Sequence, residues 1–161
     1  MAKNIFTSPR SLYKTFALSE GVTWTLLLGG LAYRALFGAP QIVLTVIGGI
    51  HGAVFLGYGV SAALVGVNNR WGFGRTVLAI ALAIVPFATV PFEISAERKG
   101  RLVGKWRRTK SEDSRDNNWF DSLYRWFINR PLLLALVLLA VIVAIFSALL
   151  FIGPPGGWPQ D

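Results

Sequence analysis

Four uninterrupted apolar blocks constrain this chain more than anything else in it: Phe16 to Phe37, Gln41 to Val67, Thr76 to Ile94 and Leu132 to Ile152. A hydrocarbon core about 30 Å thick needs about 20 residues of helix, so each block is long enough to cross a bilayer. Lipid offers no partner for backbone donors, so each block must be helical. Of the 161 residues, 53% are hydrophobic, and they lie in continuous runs and not in the alternating patterns of a soluble core. The expected fold class is all-α, a polytopic transmembrane helical protein. The basic N-terminal residues Lys3, Arg10 and Lys14 resemble the start of a signal peptide, but the apolar run that follows lasts 22 residues without a small-x-small cleavage site and reads as a retained first span.

The connections organise these blocks. Gly38, Ala39 and Pro40 join the first two in a tight helical hairpin, and Asn68 to Arg75 joins the second to the third. Residues 1–100 therefore read as a three-span membrane domain and 101–118 as a basic polar linker, mobile or lipid-bound. Residues 119–130 read as an amphipathic helix in the interface, with 131–161 as a fourth span and a Pro/Gly-rich tail. In the amphipathic segment Trp119, Phe120, Leu123, Tyr124, Trp126, Phe127 and Ile128 share one arc. Asn117 or Asn118 is placed to cap it, Asp121 to pair with Arg125, and Pro131 to end it.

The net charge of +8 raises the question of nucleic acid, but its distribution answers otherwise. Ten of the sixteen Lys and Arg residues lie between the third and fourth blocks. Such a segment signals topology and binds anionic lipids, with Lys105, Arg107, Arg108, Trp119 and Trp126 as the headgroup contacts. If all four blocks cross, the basic segment and Arg34 share one side, eleven charges against five (Lys3, Arg10, Lys14, Arg70, Arg75). That count places both termini outside a bacterial plasma membrane and the 95–130 connection in the cytoplasm.

Three blocks each carry one ionisable residue: Glu20, His51 and Glu93. Such groups are expensive in lipid and concentrate function. With three full spans, the rise of about 1.5 Å per residue puts the three at different depths, so they do not form one metal site. Glu93 is then expected to pair with Arg34 and Glu20 with Arg75 or Arg70. His51 is left for Thr23 or Thr25, with Tyr58 on the same side of its helix, or for a proton-responsive role. Gly48, Gly52 and Gly59 offer a smooth face for another helix. Pro86 and Pro91 predict a kink that frees carbonyls near Leu82 and Phe87. There is no cysteine, and no serine elbow or carboxylate-backed histidine is visible, so no catalytic group and no cofactor is expected.

Glu20-Gly21, Gly49-Ile50-His51-Gly52 with Phe55 and Tyr58, Trp71, and Pro86-Phe87 with Phe92-Glu93 resemble the domain of unknown function 3817 family of small bacterial membrane proteins, over Ser8 to Gly100. The resemblance implies a three-helix membrane domain without an assigned activity. The later segments look like additions of an actinobacterial kind. The expected function is that of a non-enzymatic accessory or assembly subunit packing against a larger respiratory or envelope-synthesis complex. The alternative is a small oligomeric proton-linked transporter or channel.

Overall fold

In the computed structural model, which describes residues 7–38 and 40–152, helix α1 spans Pro9–Phe37. Ser8 caps it by accepting from the Ser11 amide (3.1 Å), and Pro9 fits the first turn, where no amide hydrogen is needed. Gly38 ends it in the left-handed region (φ 73°) and donates to the Arg34 carbonyl (2.9 Å). Helix α2 spans Gln41–Asn68 and runs back along α1, so that Gly30 meets Leu44 and Ile47, Thr23 meets His51, and Tyr13 meets Tyr58.

The third apolar block is where the structure departs from expectation. Helix α3 covers only Phe73–Ala81, a 3₁₀ turn follows at Leu82–Ile84, and helix α4 covers Thr89–Arg98. The contacts show the direction of each arm. Along α3, Thr76 faces Gly66 and Ala79 faces Tyr58; along α4, Thr89 reaches Ala17 and Glu97 reaches Arg10 and Lys14. The block thus enters beside α2, turns at the level of Trp24, and returns to the end where α1 begins. It is a helical hairpin that turns back on itself and not one continuous helix along α1 and α2. Pro86 removes an amide and its ring disfavours a continued helix, while Phe87 takes φ 65°, a left-handed conformation costing about 1–2 kcal/mol that reverses the chain. Pro91 sits in the first turn of α4, where proline is tolerated.

Side chains fix the hairpin, two by meeting carbonyls just before the break and one by tying the returning arm to α1. Trp24 Nε1 donates to the Ala83 carbonyl (3.2 Å), the Tyr58 hydroxyl to the Ala79 carbonyl (3.0 Å), and the Thr89 hydroxyl to the Ala17 carbonyl (3.2 Å). The carbonyls singled out from the prolines, Leu82 and Phe87, accept instead from the backbone amides of Val85 and Val90. The core lies where all four helices meet, around Tyr13, Ala17, Tyr58, Ala62, Val65, Trp71, Ala79, Ala83 and Ala96.

The first compact unit extends to Arg107, beyond the boundary at residue 100 drawn from composition. Residues 101–107 are not a mobile linker. Leu102 is buried in the core and Trp106 packs against it. The Asn68, Asn69 and Trp71 side chains donate to the carbonyls of Lys105, Arg101 and Val103. Arg107 donates to the Asn68 and Val67 carbonyls (both 2.7 Å), closing the C-terminus of α2. That side chain, expected at lipid headgroups, is held at a helix end.

The second unit, Arg108–Asp161, contains a 3₁₀ turn at Ser114–Asn117 and helices α5 (Trp119–Ile128) and α6 (Pro131–Ile152). Asp116, fully buried, accepts from the Ser111 amide and hydroxyl (2.8 and 2.6 Å) and pairs with Arg125 (3.3 Å). Asn118 caps α5 by accepting from the Phe120 amide (3.3 Å). The axes of α5 and α6 meet at 102°. The outward residues of α5 are Trp119, Phe120, Leu123 and Trp126, whereas Arg125 is buried, and Arg130 lies 4.5 Å over the Trp126 ring. The Pro/Gly-rich tail lies outside the described residues.

Candidate functional site

The buried residues of α1 (Pro9, Leu12, Tyr13, Ala17, Glu20, Thr23) recur at steps of three or four, apart from the adjacent Leu12 and Tyr13, and stop at Thr23. Those of α2 begin at His51 and continue to Asn68. Between these limits the first unit holds an unusual number of buried polar side chains: Tyr13, Glu20, Thr23, His51, Tyr58, Ser61, Thr89 and Glu93, five of which have no solvent exposure at all. Burying polar groups without partners costs several kcal/mol, so each partner matters.

Most are satisfied. Tyr58 donates to the Ala79 carbonyl, so the 2.7 Å contact between the two hydroxyls is Tyr13 donating to Tyr58. Their rings are 5.5 Å apart, and Trp71 stands edge-on to Tyr13 at 5.6 Å. The Thr23 hydroxyl donates to the Glu20 carbonyl (3.1 Å), so the 3.0 Å contact with His51 Nδ1 makes that nitrogen the donor and assigns the neutral tautomer protonated there. Trp24 covers the imidazole edge-on at 4.6 Å. His51 is thus held by Thr23, while Thr25 donates to Gly21.

The carboxylates are the exceptions. Both oxygens of Glu20 and Oε1 of Glu93 lack a hydrogen-bond partner among the described residues. Neither is placed as the pairing argument expected. Because the hairpin turns back, Glu93 stands at the start of α1 near Tyr13 and Lys14, while Arg34 lies at the far end and bonds Gln41. Among the described residues no ion pair is formed by Glu20. Glu93 donates a side-chain hydrogen bond to Glu97, which itself pairs with Arg10 and with Lys14 (3.6 Å). Partial desolvation pushes the Glu97 carboxyl up, but Arg10, Lys14 and the bond from Glu93 outweigh it and hold it below the usual carboxylate range. The signal missed in the sequence was Glu97 itself, one turn after Glu93 and matched in charge to Arg10 and Lys14.

The glycines divide by neighbour. A Cβ on Gly57 would stand 2.3 Å from Phe16 and one on Gly66 2.5 Å from Thr76, so these two permit the closest helix contacts. Gly59 is in ordinary contact with Ile80 at 3.9 Å, and Gly48 faces open space, as do Gly29 and Gly49. Gly52 lies half-buried beside His51. Among the described residues no group of three or more His, Asp or Glu side chains could hold a metal ion.

Among these elements α2 is long and apolar enough to cross a membrane. No solved structure matches the chain. A Streptomyces coelicolor protein, named "Putative membrane protein", is 37% identical over 87 residues, covering 53% of this chain and 10% of that protein. The chain therefore spans about a tenth of the length of the relative it matches. The family model for Domain of unknown function (DUF3817) matches residues 10–98, more than half of the chain and all of the buried polar cluster, and the protein belongs to that family.

Proposed function

We propose that this chain is a non-enzymatic accessory subunit of a larger membrane-protein complex, docking through the part of the α1–α2 hairpin that its own chain leaves uncovered. The observation that carries this reading is the uncovered stretch of the hairpin, where a Cβ on Gly29, Gly48 or Gly49 would meet nothing and Leu26, Leu31, Val46 and Ile50 are exposed. Without a hydrophobic drive between helices in lipid, association depends on close backbone approach, which small residues allow. That a relative carries the same segment as a tenth of a much longer polypeptide supports a module that works beside other membrane segments. Photo-crosslinkers placed at Leu31 and Val46 test it: a stoichiometric protein adduct is expected, abolished by Gly48→Leu. Adducts with lipid alone would sink the idea.

A multi-pass topology accompanies this reading, with an orientation opposite to the one first expected. Lys14 and Arg34 bracket 19 residues of α1, about the thickness of the hydrocarbon core. With the third block returning, Arg10, Lys14, Arg70, Arg75, Arg98, Lys99, Arg101, Lys105 and Arg107 share one end of the first unit, against Arg34 at the other. The positive-inside bias then puts the N-terminus in the cytoplasm of a bacterial cell. An N-terminal tag should resist protease added to intact spheroplasts. The outward aromatic face of α5 and its 102° turn into α6 suit a helix lying in an anionic headgroup layer, with Trp119 and Trp126 as anchors.

One observation favours a second reading, proton-linked movement through an oligomer: the fully buried, unpartnered Glu20 carboxyl beside a re-entrant hairpin. Loss of proteoliposome proton flux in Glu20→Gln is its expected outcome, and unchanged flux would remove it.

A further inference from the structure

The buried hydroxyls and carboxyls of the first unit form a sequence and not a scatter. Glu97 is partly exposed at the end where α1 begins and accepts from Glu93, one turn back on α4. Glu93, 1% exposed, lies between the Thr89–Ala17 and Glu97–Arg10 contacts of α4 with α1 and so at the level of Tyr13, which donates to Tyr58 at 2.7 Å. Glu20, whose two carboxyl oxygens have no hydrogen-bond partner, lies on α1 between the Tyr13–Tyr58 and Thr23–His51 contacts with α2, and so along the stretch that Tyr58 begins. Tyr13 and Glu20 are seven residues apart on α1, about 10 Å of rise, so the two tyrosines span the interval between a carboxyl near water and one sealed from it.

The geometry points to a proton relay: Tyr13 and Tyr58 join Glu20 to Glu93 and Glu97, so that Glu20 exchanges its proton with water at the α1 N-terminal end only. This inference deepens the second reading above in naming a path, but needs no net flux. The groups facing the path are Arg10, Tyr13 and Lys14 from α1, His51 and Tyr58 from α2, and Glu93 and Glu97 from α4, and the α3 arm facing it (Val77 to Ala83) holds no titratable residue. His51 Nδ1 is engaged by Thr23.

One transfer moves a single proton and breaks only O–H bonds. The Glu93 carboxyl gives its proton to the Tyr13 oxygen as Tyr13 passes its own to Tyr58. Tyr58 turns its hydroxyl from the Ala79 carbonyl and delivers its proton to the Glu20 carboxylate. Both tyrosines are neutral before and after, and Glu93 is reprotonated from water by way of Glu97. The Ala79 carbonyl is available to hold the Tyr58 hydrogen because the helix is broken a turn later. The hairpin that corrects the fold therefore also builds the resting position of the relay.

The test is infrared spectroscopy of the full chain in nanodiscs, with the protonated-carboxyl band of Glu20 assigned by its loss in Glu20→Gln. On transfer to heavy water, Tyr13→Phe and Tyr58→Phe should each slow exchange of that band by about tenfold or more, and Tyr33→Phe, on the exposed part of α1, should not. Tyr13→Phe keeps the ring and removes a hydroxyl bonded to Tyr58, so its melting temperature serves as the folding control. Wild-type exchange rates in a folded Tyr13→Phe variant would overturn the relay, as would the absence of any Glu20 band at every pH the fold survives. Persistent relay-dependent exchange with no Glu20-dependent flux would remove the transport reading and leave the relay standing. Flux that needs Glu20 but not Tyr13 would do the reverse.

Discussion

The α1–α2 hairpin is two different objects along its length. From the α1 N-terminus to Trp24 it is one side of a four-helix arrangement closed by the re-entrant arms, with buried tyrosines, carboxyls and alanines. From Trp24 to Phe37, about 20 Å further, it is a bare pair in which no residue of either helix is buried. The contrast teaches that the polar residues and the packing are one feature. A kinked crossing would have shared its contacts along the whole hairpin. A returning one concentrates them at one end and leaves the other end bare among the described residues.

The sharpest way to break this division is with glycines on one helix. Gly57→Val and Gly66→Val drive branched side chains into Phe16 and Thr76, and overpacking of this kind costs about 1–3 kcal/mol. Gly48→Val meets nothing and should change unfolding in detergent by under about 0.5 kcal/mol. Equal effects at Gly48 and Gly66 would show that the bare end is packed after all. Next in size are the clamps on the hairpin. Trp24→Phe and Thr89→Val each remove one hydrogen bond to a backbone carbonyl, worth about 0.6–2 kcal/mol within a membrane protein. Both should also raise amide exchange at Leu82 to Thr89, the tip, before anywhere else. Protection there that is unchanged in both variants would mean that the tip is held by something other than these two side chains.

How much of this was legible depends on what each residue's role requires. The helix ends at Phe37 and Asn68 and the starts at Gln41 and Trp119 follow from turn residues, caps and apolar length, which are local. The reversal at Phe87 was not, because length admits a crossing and two prolines admit either a kink or a turn. What decides between them is where the carbonyls of Ala79 and Ala83 find donors, in Tyr58 and Trp24, distant in sequence. Reading the block as a crossing sends Glu93 to Arg34 and treats Glu97 as part of the 95–130 connection, whereas the turn brings both to the start of α1, beside Arg10 and Lys14. The same cause hid the order in residues 101–107, since Arg107 reads as one more basic residue until the end of α2 is known to lie beside it.

The smallest expected effect tests the same end of the molecule from outside. Glu97 holds the returning arm to Arg10 and Lys14, and its carboxyl lies below the usual carboxylate range. A group whose folded pKa is depressed favours the folded state above its unfolded pKa, about 4.3 for glutamate, and that contribution disappears as pH falls through the folded value. The wild type should therefore lose a little thermal stability as the solution is acidified below that range, and Glu97→Gln should lose less over the same interval while being slightly less stable at neutral pH. Salt should narrow the difference, because the pair is exposed to solvent. Arg34→Gln, at the bare end, should leave this acid limb untouched. If Arg34→Gln flattened it and Glu97→Gln did not, the third block would cross the membrane and the division of the hairpin into a packed and a bare half would be wrong.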